Sequence, residues 1–551
     1  LWNEPNNITS WDWRLDPQWT VFSQMIFEAS ALCKQHGKRT VLGGMHPIDP
    51  LWLETMFQKG VMQHIDVVGI HGFPEVFDHQ WEGWAHHIEG IRALLERYQH
   101  PAEVWLTEAG FSTWQYDERK QLDEFIKVIE LPLQRVFWRG IKDVDLTAAD
   151  HGTALDARTS FFGMKHHDGK PKLLYRMLEK HKVDNIASVK WITKPQKKIS
   201  EEKHILITGG AGFVGTNVAQ QYLALGKPVT IFDNLSRPGV EENLQWLKDT
   251  YGKNVKVEVS DIRNLHAVKK AVQNADQVFH FAAQVAVTTS LVNPQEDFDI
   301  NAQGTLNILN AMKHMGTPPS LVFTSTNKVY GGLEDVPLKI QQDRYLPIAE
   351  DIRKNGIAES RSLDFHSPYG CSKGTADQYV IDYARTFQLP AAVFRMSCIY
   401  GPHQFGTEDQ GWVAHFVISA LKNKKINIYG DGKQVRDLLF VEDLVEAFML
   451  AQTHMGNLAG QAFNIGGGPE NAVGVVEVVK YLSNLTGVDA HIEFGDWRPG
   501  DQRYYVSDTR KFEKATGWTR KTSVKEGITR LHDWLKEYHE SIHQIQLIHN
   551  I

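Results

Sequence analysis

The stretch His204-Ile205-Leu206-Ile207-Thr208-Gly209-Gly210-Ala211-Gly212-Phe213-Val214-Gly215 decides how this chain is read. His204–Thr208 has the composition of a buried strand, the glycines make a tight turn, and an apolar-periodic stretch over 212–225 follows as a helix. Glycine is needed because the backbone must turn sharply and approach a pyrophosphate, which then sits at the positive end of the helix. A second strand over 228–232 runs into Asp233, 24 residues after Gly209. A carboxylate there takes a ribose 2′-hydroxyl and repels a 2′-phosphate, so the spacing favours NAD. Arg237 nearby is the one feature that points towards NADP.

Working outward, strands follow at Val255–Val259, 277–281 and 320–324, with a helix from about Asn301. Upstream, apolar runs at 40–42, 66–70 and 103–106 alternate with helix-length stretches at 17–36 and 84–98, which favours a parallel α/β sheet or barrel. Between the two halves, 184–203 carries Lys190, Lys194, Lys197, Lys198, Lys203 and Pro195 and reads as a solvated linker. The expected domains are therefore 1–183 and 204–545, joined by 184–203.

The 551 residues are 42% hydrophobic and 23% charged, the proportions of a globular enzyme with room for several cores. Net charge is −7 with no long basic run, so neither a nucleic-acid nor an anionic-membrane partner is expected. Cys33, Cys371 and Cys398 cannot form a disulfide framework, which suggests a reducing, cytoplasmic setting. The longest uncharged stretch, 205–226, is glycine-rich and belongs to the turn described above rather than to a membrane span. The chain begins at Leu1, and the N-terminus is read as cut.

Ser367-Pro368-Tyr369-Gly370-Cys371-Ser372-Lys373 places Tyr369 and Lys373 four residues apart at a helix start, on one helix face. An ammonium beside a phenol lowers the phenol's pKa from ~10 by about 1–3 units, enough to make Tyr369 a base near neutrality. Thr326, in Phe323-Thr324-Ser325-Thr326-Asn327-Lys328-Val329-Tyr330-Gly331, follows a strand and completes a Thr/Tyr/Lys set.

Over residues 204–540 these motifs resemble the extended short-chain dehydrogenase/reductase family, in particular its nucleotide-sugar epimerases and dehydratases. The resemblance implies a Rossmann-type doubly wound NAD-binding domain with a smaller C-terminal substrate-binding part. It implies that Tyr369 removes a sugar hydroxyl proton while hydride passes to NAD. Lys373 would bind the nicotinamide ribose and tune Tyr369, and Thr326 would bond the reacting oxygen. Cofactor contacts are implied for Gly209, Gly212, Phe213, Val214, Gly215, Asp233, Asn234, Asp261, Ile262, Phe281, Ala282, Ala283 and Asn301, besides Tyr369 and Lys373. Arg436, Arg498 and Arg503 match arginines that hold the sugar-nucleotide diphosphate or its ribose, a task that guanidinium forks suit.

Family 4,6-dehydratases follow the threonine with Asp-Glu, whereas Thr326 is followed by Asn327-Lys328. Elimination of water then lacks its acid and base, and oxidation followed by re-reduction remains. Four segments, at 234–240, 325–331, 363–374 and 409–413, are similar to the CDP-paratose 2-epimerases, also called CDP-tyvelose 2-epimerases. That similarity implies a CDP-sugar, transient oxidation at C2, rotation of the keto sugar and hydride return to the opposite face. The spacing itself does not distinguish C2 from C4, so a UDP-sugar 4-epimerase is the alternative. A homo-oligomer is expected.

In the first segment, Leu1-Trp2-Asn3-Glu4-Pro5-Asn6 and Trp105-Leu106-Thr107-Glu108-Ala109-Gly110 each read as a glutamate ending an apolar strand. Two carboxylates about 5 Å apart are the acid/base and nucleophile of retaining glycosidases. His71 ends another strand, and Trp11, Trp13 and Trp114 suit a sugar-stacking cleft. The segment resembles the C-terminal part of a (β/α)8 retaining glycoside hydrolase, which implies Glu4 as acid/base and Glu108 as nucleophile. Phe161-Phe162-Gly163-Met164 and Asp168-Gly169-Lys170-Pro171-Lys172 resemble the end of such a barrel. With Asn3-Glu4-Pro5 at the start, strands one to three are missing. A partial barrel of strands four to eight is expected, with Glu4 and Glu108 inactive; a working glycosidase fused to an epimerase is a further alternative. His86-His87 and His166-His167 lack zinc-ligand spacing, and no metal is expected.

Overall fold

A computed structural model describes residues 1–77, 81–145, 157–193, 204–488, 490–498 and 500–549. The chain divides into two units, Leu1–Pro195 and Gln196–Ile551. In the first unit the sheet consists of β1 (Val41–Met45), β2 (Val67–Gly72), β3 (Glu103–Ala109) and β4 (Val136–Trp138). They lie in chain order and every neighbouring pair is parallel. Parallel neighbours require crossovers, supplied here by Pro50–Gln58, Trp84–Arg97 and Glu118–Ile129. β2 is buried along its whole length, as its unbroken apolar run requires of a strand covered on both faces.

Two expectations for this unit are corrected. Among the described residues the sheet has four strands, and the first of the five expected is reduced to Leu1. The Leu1 amino group donates to Val41 O at 2.8 Å and Gly43 N donates to Leu1 O at 3.0 Å. The chain then leaves β1 through left-handed positions at Trp2 (φ 62°) and Glu4 (φ 44°), so Glu4 lies in a turn and not at a strand end. The first half of the expected linker is also structured. Leu173–Asn185 continues through Ile186–Val189 and Lys190–Thr193. Ile186, Val189 and Ile192, three residues apart, form a buried stripe that the intervening lysine obscured. Residues 194–203 lie outside the described residues.

The second unit holds seven parallel strands: β5 (His204–Thr208), β6 (Val229–Asp233), β7 (Val255–Val259), β8 (Ala275–His280), β9 (Ser320–Thr326), β10 (Ala391–Met396) and β11 (Ala462–Ile465). Their order is β11-β10-β9-β8-β5-β6-β7. The chain winds from β5 out to β7, returns to the other side of β5 as β8, and winds the opposite way. This reversal leaves a crevice at the carboxyl ends of β5 and β8, where doubly wound folds bind ligands. A smaller C-terminal part carries a sheet of Cys398–Tyr400, Val435–Phe440, Ala472–Gly474 and Tyr504–Tyr505, and a pair formed by Ile426–Tyr429 and Ile492–Gly495. Phe416, Val479 and Leu531 anchor its core, and the last helix runs Val524–His549, past the expected limit at 545. No helix among the described residues is long and apolar enough to cross a membrane.

Candidate active site

The glycines of the turn serve two purposes. Gly209 has φ +67°, and a Cβ there would lie 2.7 Å from Ala282 N; one on Gly215 would lie 2.4 Å from Gly209 O. The protein's own packing therefore demands both. Gly212 caps the helix Phe213–Ala224. A Cβ there would meet only Gly209 O, at 3.2 Å, so the space above this helix end is left for a ligand. The Asp233 carboxylate stands beside the turn, accepting from Ala211 N (3.1 Å) and Leu235 N (2.9 Å). An open cradle at a helix N-terminus with a carboxylate at its rim fits a dinucleotide. Asp261 accepts from Arg263 Nε and Asn234 Nδ2, both at 2.8 Å. Burial alone would raise its pKa, but the Arg263 charge and these bonds hold it below the usual range. Ile262 packs under Gly304, and Phe281 packs on Phe448.

Asn301, expected as a cofactor contact, is hydrogen-bonded within the fold. It sits in the π-turn Asp299–Gln303, and its amide nitrogen donates to Gln284 O (3.1 Å), Ser372 Oγ (3.0 Å) and Asp297 Oδ1 (3.3 Å). Its Oδ1 accepts from Gln284 N at 3.0 Å. These bonds commit the side chain to tying the loop after β8 to the helix Ser367–Thr386. The sequence also gave no sign of His280, whose Nδ1 meets Thr208 Oγ1 at 2.7 Å and whose Nε2 meets Thr305 Oγ1 at 3.0 Å. Burial, reinforced by the Lys373 charge, pushes His280 down to about 3, so it is a neutral brace between β5, β8 and the helix Gly304–Lys313.

Thr326 ends β9, and Tyr369 and Lys373 leave one face of the helix Ser367–Thr386, whose first turn is set by Pro368. Thr326 and Tyr369 line the same cavity, and the Thr326 hydroxyl donates to Asn327 Oδ1 at 3.3 Å and accepts from Lys328 N at 3.2 Å. The expected lowering of the phenol's pKa is reversed. Burial pushes Tyr369 up to about 12, with Asp297 adding to the rise; the nearby Thr326 hydroxyl and the Arg237 charge act in the other direction. The Lys373 ammonium turns to the main chain of β9, donating to Thr324 O at 2.5 Å, 4.4 Å above the Phe323 ring. Burial lowers Lys373 to about 8, against the opposing charges of Asp377 and Asp297.

A cavity of about 390 Å³ runs from Phe213 and Val214 past Thr326 and Tyr369 to Arg436 and Arg498. Arg436 donates to Asp501 Oδ1 at 2.6 Å. Lys328 Nζ donates to Gly500 O at 3.2 Å and lies 3.7 Å from the same carboxylate. Arg498 covers the Tyr429 ring at 3.8 Å and faces Asp409 at 3.5 Å. Arg503 is not in the cavity wall; it lies over Tyr345 and Trp497 at 5.7 and 5.4 Å. Pro499 of that motif lies outside the described residues. Asn327 bonds Gln502 Oε1 at 3.3 Å, so neither residue after Thr326 carries a carboxylate into the cavity. The sequence reading passed over Lys328, Asp501 and Glu408 as cavity residues. Adjacency to Thr326 and to the arginine motif could have flagged the first two.

In the first unit, buried His71 stands between the two glutamates. Its Nδ1 is 3.0 Å from Glu4 Oε1 and its Nε2 is 4.0 Å from Glu108 Oε1, while Arg139 donates to Glu108 Oε2 at 3.0 Å. Trp11 packs edge-on against Trp2 and Phe22, a core position and not a cleft wall. Lys172, in the expected barrel end, is fully buried and donates to Asp143 and Thr113, both at 2.7 Å. Among the described residues no cluster of three or more His, Cys, Asp or Glu side chains could hold a metal.

Residues 206–531 match the family described as GDP-mannose 4,6 dehydratase. The chain belongs to this family. It is 43% identical to the CDP-paratose 2-epimerase of Salmonella typhi over 60% of this chain and 98% of that protein. It is 30% identical to the UDP-glucuronate 4-epimerase of Thermodesulfobacterium geofontis over 62% and 99%. Among solved structures, the Thermotoga maritima UDP-glucose 4-epimerase with UDP-glucose superposes with TM-score 0.52 at 29% identity, covering 61% of this chain and 99% of that one. The Bacillus cereus UDP-glucuronic acid 4-epimerase, in complex with UDP-glucuronic acid and NAD, gives 0.53 at 25% identity over 61% and 99%. The second unit is thus an enzyme of the extended short-chain dehydrogenase/reductase, nucleotide-sugar epimerase type. The glycosidase resemblance of the first unit receives no support from these comparisons.

Proposed function

We propose that the second unit epimerises a nucleotide sugar, and that the reaction is conversion of CDP-paratose to CDP-tyvelose at C2. The observation that carries the reading is that Thr326 and Tyr369 line one cavity with Arg436 and Arg498. Identity of 43% across nearly the whole Salmonella typhi CDP-paratose 2-epimerase supports the choice of base and carbon. The cofactor is NAD, the dinucleotide held by the Bacillus cereus relative. Gly209, Gly212 and Gly215 form its cradle, with Asp233 at the ribose and Asp261 and Phe281 shaping the walls.

When bound, NAD supplies the carbon that accepts and returns hydride, and its oxidised ring adds positive charge near a phenol that otherwise titrates at about 12. Tyr369 Oη takes the proton from the C2 hydroxyl while Thr326 Oγ1 holds the same oxygen. Lys373 steadies the cofactor's ribose from behind Tyr369. Arg436 and Arg498 grip the diphosphate so that only the keto sugar rotates, for which Arg436 must exchange Asp501 for phosphate. Tyr369 would give its proton back to the C2 oxygen as the carbonyl is reduced from its opposite face. Asn327 and Lys328 supply no carboxylate for elimination, which keeps the cycle to oxidation and re-reduction.

Incubation with CDP-paratose, followed by NMR of the sugar, tests this. CDP-tyvelose should form with no net NADH. Sustained NADH production would make the protein a dehydrogenase, and inversion of UDP-glucose at C4 would favour the 4-epimerase reading.

A further inference from the structure

Part of the wall of the cavity described above is a connected polar patch of Glu408, Asn427, Tyr429 and Arg498.

Glu408 lines the same cavity. Its carboxylate accepts from the Tyr429 hydroxyl and from Asn427 Nδ2 at 3.2 Å. The Tyr429 and Asn427 bonds hold its pKa below the ordinary range, and an ionised carboxylate with two donors retains free lone pairs. Arg498 joins this patch to the diphosphate end, since it covers the Tyr429 ring and donates to Glu408 O at 3.2 Å. The carboxylate therefore flanks the position of the nucleoside. Cytosine presents a 4-amino donor there, whereas uracil presents a 4-oxo acceptor, and a carboxylate pairs with the first and opposes the second.

We propose that Glu408 is the specificity-determining residue that reads the exocyclic amine of the base and selects cytidine over uridine diphosphates. This rests on the CDP-sugar reading and names the residue that enforces it.

Calorimetric titration of CDP and of UDP into the NAD-loaded full chain tests the assignment. The unaltered protein should bind CDP about tenfold or more tightly than UDP. Glu408→Gln keeps an oxygen for the Tyr429 hydroxyl and offers an amide donor to a 4-oxo group, so the preference should fall to within about threefold. Glu408→Ala, which removes the carboxylate without offering a donor, should narrow the preference less, and it decides the matter if Glu408→Gln fails to fold. Tighter binding of UDP by the unaltered protein would overturn the CDP-sugar reading and this inference with it. A CDP preference left unchanged by both substitutions would overturn the inference alone.

Discussion

At the carboxyl ends of β2 and β3 in the first unit, one histidine stands between two glutamates, 3.0 Å from Glu4 and 4.0 Å from Glu108. At the carboxyl end of β9 in the second, a threonine and a tyrosine stand on the wall of a cavity. Both sheets are parallel, and both units bring catalytically capable side chains together. The difference lies in winding and in what engages those side chains. Four strands laid down in one direction contain no reversal, and each glutamate is engaged by a neighbour, Glu4 by His71 and Glu108 by Arg139. The seven-stranded sheet reverses between β5 and β8, and the helix end beside that reversal keeps a glycine with open space above it. Residue types capable of chemistry occur in both units; the reversal and the open cradle beside it distinguish the second.

The strongest test of that contrast is Tyr369→Phe, which keeps the ring and removes the proton acceptor. Epimerase turnover should fall by about 10²–10⁴ with NAD still bound. Near-normal turnover would take Tyr369 out of the mechanism and erase the contrast between the units. Next, Gly212→Val fills the cradle at the helix end, and its only close neighbour is one carbonyl of its own turn. NAD affinity should drop by about tenfold or more while the melting temperature changes little, since tenfold corresponds to about 1.4 kcal/mol of lost binding. A large fall in melting temperature would show that Gly212 serves packing, as Gly215 does.

A smaller effect concerns His280, buried and neutral with its pKa lowered to about 3 from 6.5. The unfolded chain takes up this proton near pH 6.5 and the folded chain does not. Stability contributed by the neutral ring is therefore full above pH 6.5 and is lost as pH falls towards 3, by about 2 kcal/mol between pH 6.5 and 5. Denaturation midpoints across that window should show the slope in the native chain and a flatter one in His280→Asn. An equal slope in both would assign the acid sensitivity elsewhere.

The smallest expected effect is none. Glu4→Gln and Glu108→Gln should leave epimerase turnover unchanged, and residues 204–551 alone should retain it in full. No aryl glycoside should be hydrolysed, because an imidazole stands between the carboxylates and Arg139 engages one of them. Hydrolysis that disappears in Glu108→Gln would reverse this view of the first unit.

The sequence by itself determined what short range can encode. The glycine turn needs a few adjacent residues, Asp233 follows from strand length, and the shared face of Tyr369 and Lys373 follows from helical periodicity. Strand and helix alternation announced a parallel sheet in each half. Tertiary structure decided everything that depends on burial and on partners distant in sequence. Tyr369 rises to about 12 because the fold removes its water, and Lys373 turns to Thr324, 49 residues away. Asn301 is spent on Ser372, and Arg436 is paired with Asp501, separations of 71 and 65 residues. The stripe of Ile186, Val189 and Ile192 looked like linker until a core covered it. Periodicity tells which face of an element is apolar; desolvation and hydrogen-bond satisfaction depend on what the fold places against that face, and neither is a local property of the chain.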